Sequence, residues 1–139
     1  MKRVWRIACG VLLAGIMNAA QCGEAWQAVY EDATVRVAVD AASIRREKQT
    51  VSFRERHALT VAEVDPESLR RIVEIQYRRL ADCRKKRLAE LSKAMFSEQD
   101  ALVHYEAAKP EKLNWLAPRN EREARLYEWV CGARSGSKS

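Results

Sequence analysis

The positions of the four cysteines constrain the fold of this chain more than any other feature of its sequence. They are Cys9, Cys22, Cys83 and Cys131. Cys9 lies inside an apolar N-terminal segment, so loss of that segment would leave an odd number of cysteines. Cys22 would then stand at the new chain terminus, where order is usually poor. We therefore expect the two interior cysteines, Cys83 and Cys131, to form a disulfide.

The N-terminal segment has the three-part layout of a secretory signal peptide. Three basic residues precede an apolar run over residues 7–17, and a pair of small residues ends at Ala20. The run is too short to cross a bilayer, which needs roughly 20 apolar residues. We predict a signal peptide over residues 1–20 and export to the periplasm or the outer cell surface. Disulfides form and persist in that compartment.

The residues after the signal indicate one small domain. Cys22 raises the question of lipidation, but Gln21 is a poor match to the small residue that lipoprotein signals place before their cysteine, so a soluble mature form is favoured.

Loss of the signal removes three of the 25 basic side chains and none of the 19 acidic ones, which leaves a net charge of +3. About 119 residues remain, enough for one core. We expect a domain over residues 21–131 and a disordered polar tail over residues 132–139.

Alternating apolar and polar residues predict strands in the first half of the domain. Three such runs are joined by connections too short for parallel crossovers, so three antiparallel strands are expected. The residues expected to share a face are Trp26, Ala28 and Tyr30 in the first run, Val35, Val37 and Val39 in the second, and Val51, Phe53, Glu55, His57 and Leu59 in the third.

The second half of the domain is less clear until its last element. Residues 69–80 and 87–97 fit either a helix or a strand, because periodicity alone does not decide between them. Residues 98–100 read as a turn before a further strand.

Residues 121–131 then predict a helix, because they contain no glycine or proline and follow a helix-capping pair, Asn120 and Glu123. Gly132 is expected to end this helix. Its expected buried face carries Ala124, Tyr127 and Cys131, with Val130 beside it.

Several short motifs, taken in order, resemble the surface-adhesin protein E domain family of Gram-negative bacteria. They are Trp26 at the start of the first strand, Val39-Asp40 with Ser43-Ile44, Asp82-Cys83, residues 115–118 and Val130-Cys131. The resemblance implies an α+β fold, in which an antiparallel sheet of about five to six strands carries a C-terminal helix tied to it by the cysteine pair. It resolves both ambiguous segments as strands.

Two positions depart from the pattern of this family. Gln99-Asp100 replaces a glycine at the late hairpin turn, and Asn120 replaces a serine before the helix. Both replacements are chemically competent, because aspartate tolerates turn geometry and asparagine caps helices well. The fold is therefore expected to survive both changes.

The resemblance implies an exported, non-enzymatic binding module for host extracellular-matrix or serum proteins. The alternative is a periplasmic structural or accessory protein of the cell envelope with no host ligand. His57 and His104 are the only histidines and do not lie in a ligand-spaced cluster, and we find no phosphate loop and no nucleophile elbow. We therefore predict no catalytic residue, no metal and no cofactor.

One charged run is a candidate for ligand binding. A cationic patch would suit acidic glycans, acidic host proteins or lipid headgroups at the envelope, whereas export argues against nucleic acid. The alternative is a solvated strand edge, where cations discourage association. Trp129 is added because it is offset from the expected helix face and tryptophan is enriched at binding hot spots. Exposed sheet edges would also allow a homodimer. The basic residues are Arg78, Arg79, Arg84, Lys85, Lys86 and Arg87.

Overall fold

The computed structural model describes residues 23–132, so the predicted signal peptide, Cys22 and residues 133–139 of the predicted tail lie outside the described range. Within that range the chain forms seven strands and one long helix. They are β1 (Trp26–Glu31), β2 (Val35–Asp40), β3 (Arg45–Glu47), β4 (Thr50–Val64), β5 (Arg71–Asp82), β6 (Arg87–Phe96), β7 (Leu102–Ala107) and α1 (Glu121–Gly132). Short 3-10 turns cover Ala41–Ser43, Glu98–Asp100 and Pro110–Lys112.

The strands make one antiparallel sheet with the order β1-β2-β4-β5-β6-β7, and the three-residue β3 pairs with β4 off this path. The predicted α+β fold is therefore confirmed. Both segments that periodicity left undecided are strands, β5 and β6. Pairing on both sides decides their conformation, because each lies inside the sheet and its backbone groups are satisfied by neighbouring strands.

The helix α1 covers one face of the sheet, which we call the helix face. Side chains alternate between faces along a strand, and residues directly opposite on neighbouring strands share a face. The other side, where the alternate residues of β2, β4 and β5 point, we call the reverse face. The core cluster of the helix face consists of Val39, Val51, Phe53, Ala81, Leu88, Leu126 and Val130.

A β-bulge in β1 overturns one prediction. The register with β2 shifts between Ala28 and Tyr30, which leaves Val29 as the extra residue. Val29 packs against the core cluster, while Trp26 stays on the reverse face. The prediction that Trp26, Ala28 and Tyr30 share one face was therefore wrong.

The turn before β7 adopts left-handed backbone at two side-chain-bearing residues. Gln99 has φ 65° and Asp100 has φ 57°. Glycine occupies such conformations without steric cost, and aspartate is among the residues that tolerate them best. The departure from the family pattern at this turn is thus accommodated with the turn retained.

The start of α1 is capped as predicted, but only in one direction. The backbone N–H of Glu123 donates to Asn120 Oδ1 at 2.9 Å. The Glu123 carboxylate accepts from the backbone N–H of Arg119 at 2.8 Å, where a capping box would have it accept from Asn120. The Glu123 side chain therefore bonds to the backbone one residue before Asn120, whereas the bond from Glu123 N–H to Asn120 is the predicted one.

The buried face of α1 also differs from the prediction. Glu123, Leu126 and Val130 are its buried residues, whereas Ala124 and Tyr127 are only half-buried. The predicted face is rotated by one residue, about 100° around the helix. Capping by Asn120 and packing of Leu126 into the core set this rotation, and the helical repeat alone contains neither contact.

Candidate binding surface

The predicted disulfide is present and lies at one end of the sheet. Cys83 directly follows β5 and Cys131 is the penultimate residue of α1, with their sulfur atoms 2.11 Å and their Cα atoms 5.6 Å apart. The backbone N–H of Cys83 donates to the carbonyl of Gln49, and the Tyr127 hydroxyl donates to the carbonyl of Cys83, both at 2.9 Å. The β3–β4 turn, the β5–β6 turn and the end of α1 therefore meet around one covalent link.

The β5–β6 turn presents three exposed cations beside this link: Arg84, Lys85 and Lys86. Asp82 Oδ1 accepts hydrogen bonds from the backbone N–H of Lys85 at 3.0 Å and of Arg84 at 3.2 Å. These bonds, that of Lys85 first, hold the pKa of Asp82 below its usual range. The carboxylate is thus charged at neutral pH and keeps the turn closed.

A second turn adds cations that the sequence analysis missed. Thr50, at the start of β4, lies opposite Asp82, so the β3–β4 turn sits beside the β5–β6 turn. Lys48 lies in this turn and Arg46 in the preceding strand β3, with Arg46 Nη2 3.4 Å from the carbonyl oxygen of Cys131. The two basic segments are far apart in sequence, and only the strand register joins them. We call this surface the cationic end, which comprises Arg46, Lys48, Arg84, Lys85 and Lys86.

The structure separates the other basic residues of the predicted patch. Arg78 and Arg79 are neighbours on β5 and point to opposite faces of the sheet. Arg78 is exposed on the reverse face, and Arg79 is only 9% exposed beneath α1. The Arg87 side chain contacts other residues of the protein: its Nε lies 3.3 Å from Asp82 Oδ2 and its guanidinium lies 4.7 Å from the centre of the Trp115 ring. The predicted patch is therefore not one continuous surface.

Trp129 is half-buried and packs against the core cluster. It follows Leu126 by three residues, so the rotation of α1 that buries Leu126 also brings the indole of Trp129 toward the sheet. A packing role accounts for this contact. Its role in ligand binding stays a prediction.

Buried charges join the sheet to the helix on the helix face. Glu55 and Arg79 form an ion pair across β4 and β5, with Glu55 Oε2 3.1 Å from Arg79 Nε, and neither of these two atoms makes an aligned hydrogen bond. Glu55 Oε1 also contacts Nε2 of His57. Arg79 Nη1 lies 3.8 Å from Glu123 Oε1 of α1. Charges in such a position need partners, because an unpaired buried charge costs several kcal/mol.

Glu123 connects this network to the surface through Arg119. Burial acts to raise the pKa of Glu123, but hydrogen bonds from the Arg119 side chain and backbone outweigh it, so the pKa lies below its usual value. The Arg119 Nη2 lies 3.0 Å from Glu123 Oε1. The first turn of α1 is therefore held by the same carboxylate that faces the buried guanidinium of Arg79.

A cleft of about 370 Å³ opens beside this network. It lies beside β6, between two points where the following chain is hydrogen-bonded to that strand. At the first, the backbone N–H of Ala108 donates to the carbonyl of Leu91; at the second, the backbone groups of Leu116 and Leu88 bond to each other. Burial raises the pKa of Glu90 in its wall. Its charged lining residues divide equally between the two signs, so charge selects neither an anion nor a cation; they are Arg79, Lys112 and Arg119, and Glu90, Glu106 and Glu123.

The two histidines lie apart in the structure. His57 is 5% exposed and packs edge-on against Tyr77. His104 Nε2 lies 3.5 Å from Glu106 Oε1 on β7. Among residues 23–132, no three His, Cys, Asp or Glu side chains are grouped as metal ligands. Likewise, none of the helices in the described range is long and apolar enough to span a membrane.

Comparison with known proteins agrees with the fold. The sequence model of the family described as surface-adhesin protein E matches residues 26–132. A crystal structure of protein E from non-typeable Haemophilus influenzae is similar with a TM-score of 0.51 and 18% identity, over 76% of this chain and 75% of that one. A second structure of Haemophilus influenzae protein E matches with a TM-score of 0.52 and 16% identity, over 84% of this chain and 97% of that one. No curated protein matches this sequence.

Proposed function

We propose that this chain is an exported binding module that attaches to host matrix or serum proteins through its cationic end. The proposal starts from the family, since the chain belongs to the surface-adhesin protein E family. The observation that carries the proposal is the convergence of two separate basic segments on one rigid, disulfide-linked end of the sheet. Such a surface would recognise acidic segments of a partner protein.

Rigidity supports this assignment. Asp82 closes the β5–β6 turn, the disulfide holds that turn to α1, and the backbone bond from Cys83 to Gln49 holds it to the β3–β4 turn. A charged surface that is already ordered loses less conformational entropy when it binds. It would also attract an acidic partner over several ångströms before contact, which raises the association rate.

Charge balance supports it further. The acidic residues that border the two turns are Glu47 and Asp82, the last residues of β3 and β5, and Asp82 is occupied by backbone N–H groups and by Arg87. Apart from Arg46, whose guanidinium is engaged at the carbonyl of Cys131, four cations face these two carboxylates. We propose that the module binds without catalysis, since it would act by presenting these charges.

The test compares two variants of equal charge. Arg84→Gln, Lys85→Gln and Lys86→Gln together change the cationic end, whereas Lys109→Gln, Lys112→Gln and Arg125→Gln change exposed cations elsewhere. Binding of the exported chain to immobilised host matrix and serum proteins should fall at least about tenfold for the first variant and remain within about twofold for the second. Equal losses would overturn the assignment of the cationic end.

Location is tested separately by protease treatment of intact cells, with a periplasmic protein as the control. Loss of the chain while the periplasmic control survives supports a surface adhesin. Full protection of a cell-retained chain would overturn the surface assignment and support the periplasmic accessory role.

A further inference from the structure

The reverse face of the sheet carries a second group of cations, all of them arginine. Arg54 lies directly opposite Arg78 on β5, and Arg56 lies two residues further along β4. Arg45 lies opposite Ser52, two residues before Arg54. Because directly opposite residues share a face, these side chains all point away from α1. We call this group the arginine track: Arg45, Arg54, Arg56 and Arg78.

The arginine track has a regular spacing along β4. Its positions on or opposite that strand are two residues apart, which is about 7 Å per step and about 13 Å over the two steps. Arg78 adds a guanidinium one strand away, about 5 Å to the side. A single small anion would meet one or two of these groups, whereas a polymer with a repeated anionic group would meet them in succession.

Most of the track is not neutralised by the protein itself. Within residues 23–132, Arg45, Arg56 and Arg78 form no ion pair with a carboxylate, and Arg78 makes no other polar contact either. Arg54 differs, since its Nη1 lies 2.9 Å from Glu24 and 3.6 Å from Asp40. These three guanidiniums therefore lack a direct carboxylate partner, although Arg45 donates to the carbonyls of Ala42 and Ile44 and the charge of Arg56 acts on Glu24.

The pairing of Arg54 with Arg78 is unfavourable in the protein alone. Like charges directly opposite in an antiparallel sheet repel each other. The same two side chains line a cleft of about 260 Å³ with Ser43 and Ser52. An anionic group in or above this cleft would relieve the repulsion, and the Ser52 hydroxyl is a suitable donor to its oxygen atoms, whereas that of Ser43 already donates to the carbonyl of Asp40.

An aromatic ring lies at the margin of the track. The guanidinium of Arg56 is 4.5 Å from the centre of the Trp26 ring, and that of Arg54 is 5.4 Å from it. Stacking on an indole orders the flexible arginine side chains and holds them over the sheet. Any ligand that engages these arginines would therefore alter the surroundings of Trp26.

We infer that the arginine track binds a linear sulfated polysaccharide, at a surface distinct from the cationic end. Guanidinium forks match sulfate oxygens in pairs, which favours arginine over lysine at such a site. A lipid surface fits less well, because the exposed large apolar side chains that could enter a bilayer lie off the track. In the described range these are Val61, Val64, Leu69, Leu102, Tyr105 and Leu116.

The inference rests on export, as the proposed function does, but it concerns different residues and can fail alone. The full exported chain is titrated with heparin, and the Arg56→Gln, Arg78→Gln double variant is compared with Lys109→Gln, Lys112→Gln, which removes the same charge from exposed positions outside both surfaces. We expect an affinity loss of at least about tenfold for the first and less than about threefold for the second. Equal losses, or a greater loss for the second, would overturn the inference. Thermal unfolding of each variant checks its fold, and the single Arg78→Gln change at an exposed position repeats the test should the double variant unfold.

Two further measurements identify the ligand chemistry. Heparin should change the fluorescence of the parent chain, and Trp26→Phe should remove most of that change. Desulfated heparin should bind at least about tenfold more weakly, since its sulfate groups are gone. Equal binding of the desulfated polymer, or binding of phosphatidylglycerol vesicles without binding of heparin, would overturn the assignment to a sulfated polysaccharide.

Discussion

The Nε of Arg79 lies 3.1 Å from Oε2 of Glu55 on the neighbouring strand, and both side chains are buried beneath the C-terminal helix. These two opposite charges lie under the only long helix of the described range. The packing of that helix on the sheet therefore requires that Arg79 and Glu55 neutralise each other. Arg78, the preceding residue, points to the other face and is exposed. The two adjacent arginines therefore have different physical roles.

Replacement of Arg79 should be strongly destabilising. Arg79→Leu leaves the Glu55 carboxylate buried without its partner, so we expect a loss of about 3–5 kcal/mol in the free energy of unfolding. Urea unfolding measures this loss. Arg78→Leu is the matched control and should change the stability by less than about 0.5 kcal/mol. Similar losses for both variants would contradict the buried ion pair.

The disulfide should contribute a large part of the stability. Replacing Cys83 and Cys131 together by alanine removes a link between residues 48 positions apart, with an expected cost of roughly 4 kcal/mol. Urea unfolding of the parent chain with and without reductant gives an independent value. Reductant should weaken the parent chain and leave the double variant unchanged. A reductant effect that persisted in the double variant would point to a disulfide between two chains through Cys22.

The cap at Asn120 should have a smaller, measurable effect. Asn120→Ala removes the acceptor for the N–H of Glu123, and we expect a loss of about 1 kcal/mol in unfolding free energy. Asn114→Ala, at an exposed position outside α1, is the control and should stay within about 0.5 kcal/mol of the parent. Thermal unfolding followed by circular dichroism distinguishes the two variants. An equal response would remove the cap as a source of stability.

The lowered pKa of Glu123 predicts a pH effect on stability. A carboxyl group with a lower pKa in the folded chain adds stability above its unfolded pKa, near 4.5, and loses it as the pH falls through the folded value. The parent chain should therefore lose more stability between about pH 6 and pH 3 than Glu123→Gln does. Urea unfolding at several pH values measures this difference. Glu128→Gln, exposed on the same helix, should keep the pH dependence of the parent.

Several features of the fold could be predicted from sequence because they depend on local order along the chain. Alternation in residues 35–39 and 51–59 identifies strands, since a strand places every second side chain on one face. Asn120 identifies the start of the helix through a bond to a residue three positions away. The pairing of Cys83 with Cys131 was predicted from the oxidising compartment that the signal peptide implies and from the number of cysteines that remain after its loss. For residues 69–80 and 87–97, resemblance to a family supplied what periodicity did not.

The candidate binding surface depended on information that is not local. Arg46 and Lys48 join Arg84–Lys86 only because Thr50 pairs with Asp82. Arg79 left the predicted patch because a one-residue step along a strand reverses the direction of the side chain. The bulge at Val29 and the rotation of α1 likewise arise from packing against other elements.

The sequence by itself determined the first strands, the C-terminal helix and the covalent link, because propensity, periodicity and cysteine chemistry act on neighbouring residues or on a few special ones. Only the tertiary structure decided which charges became buried and which became a surface. Burial of a charge depends on whether a partner comes within reach, as Glu55 does for Arg79 from a diagonal position on the neighbouring strand, and strand register controls that placement.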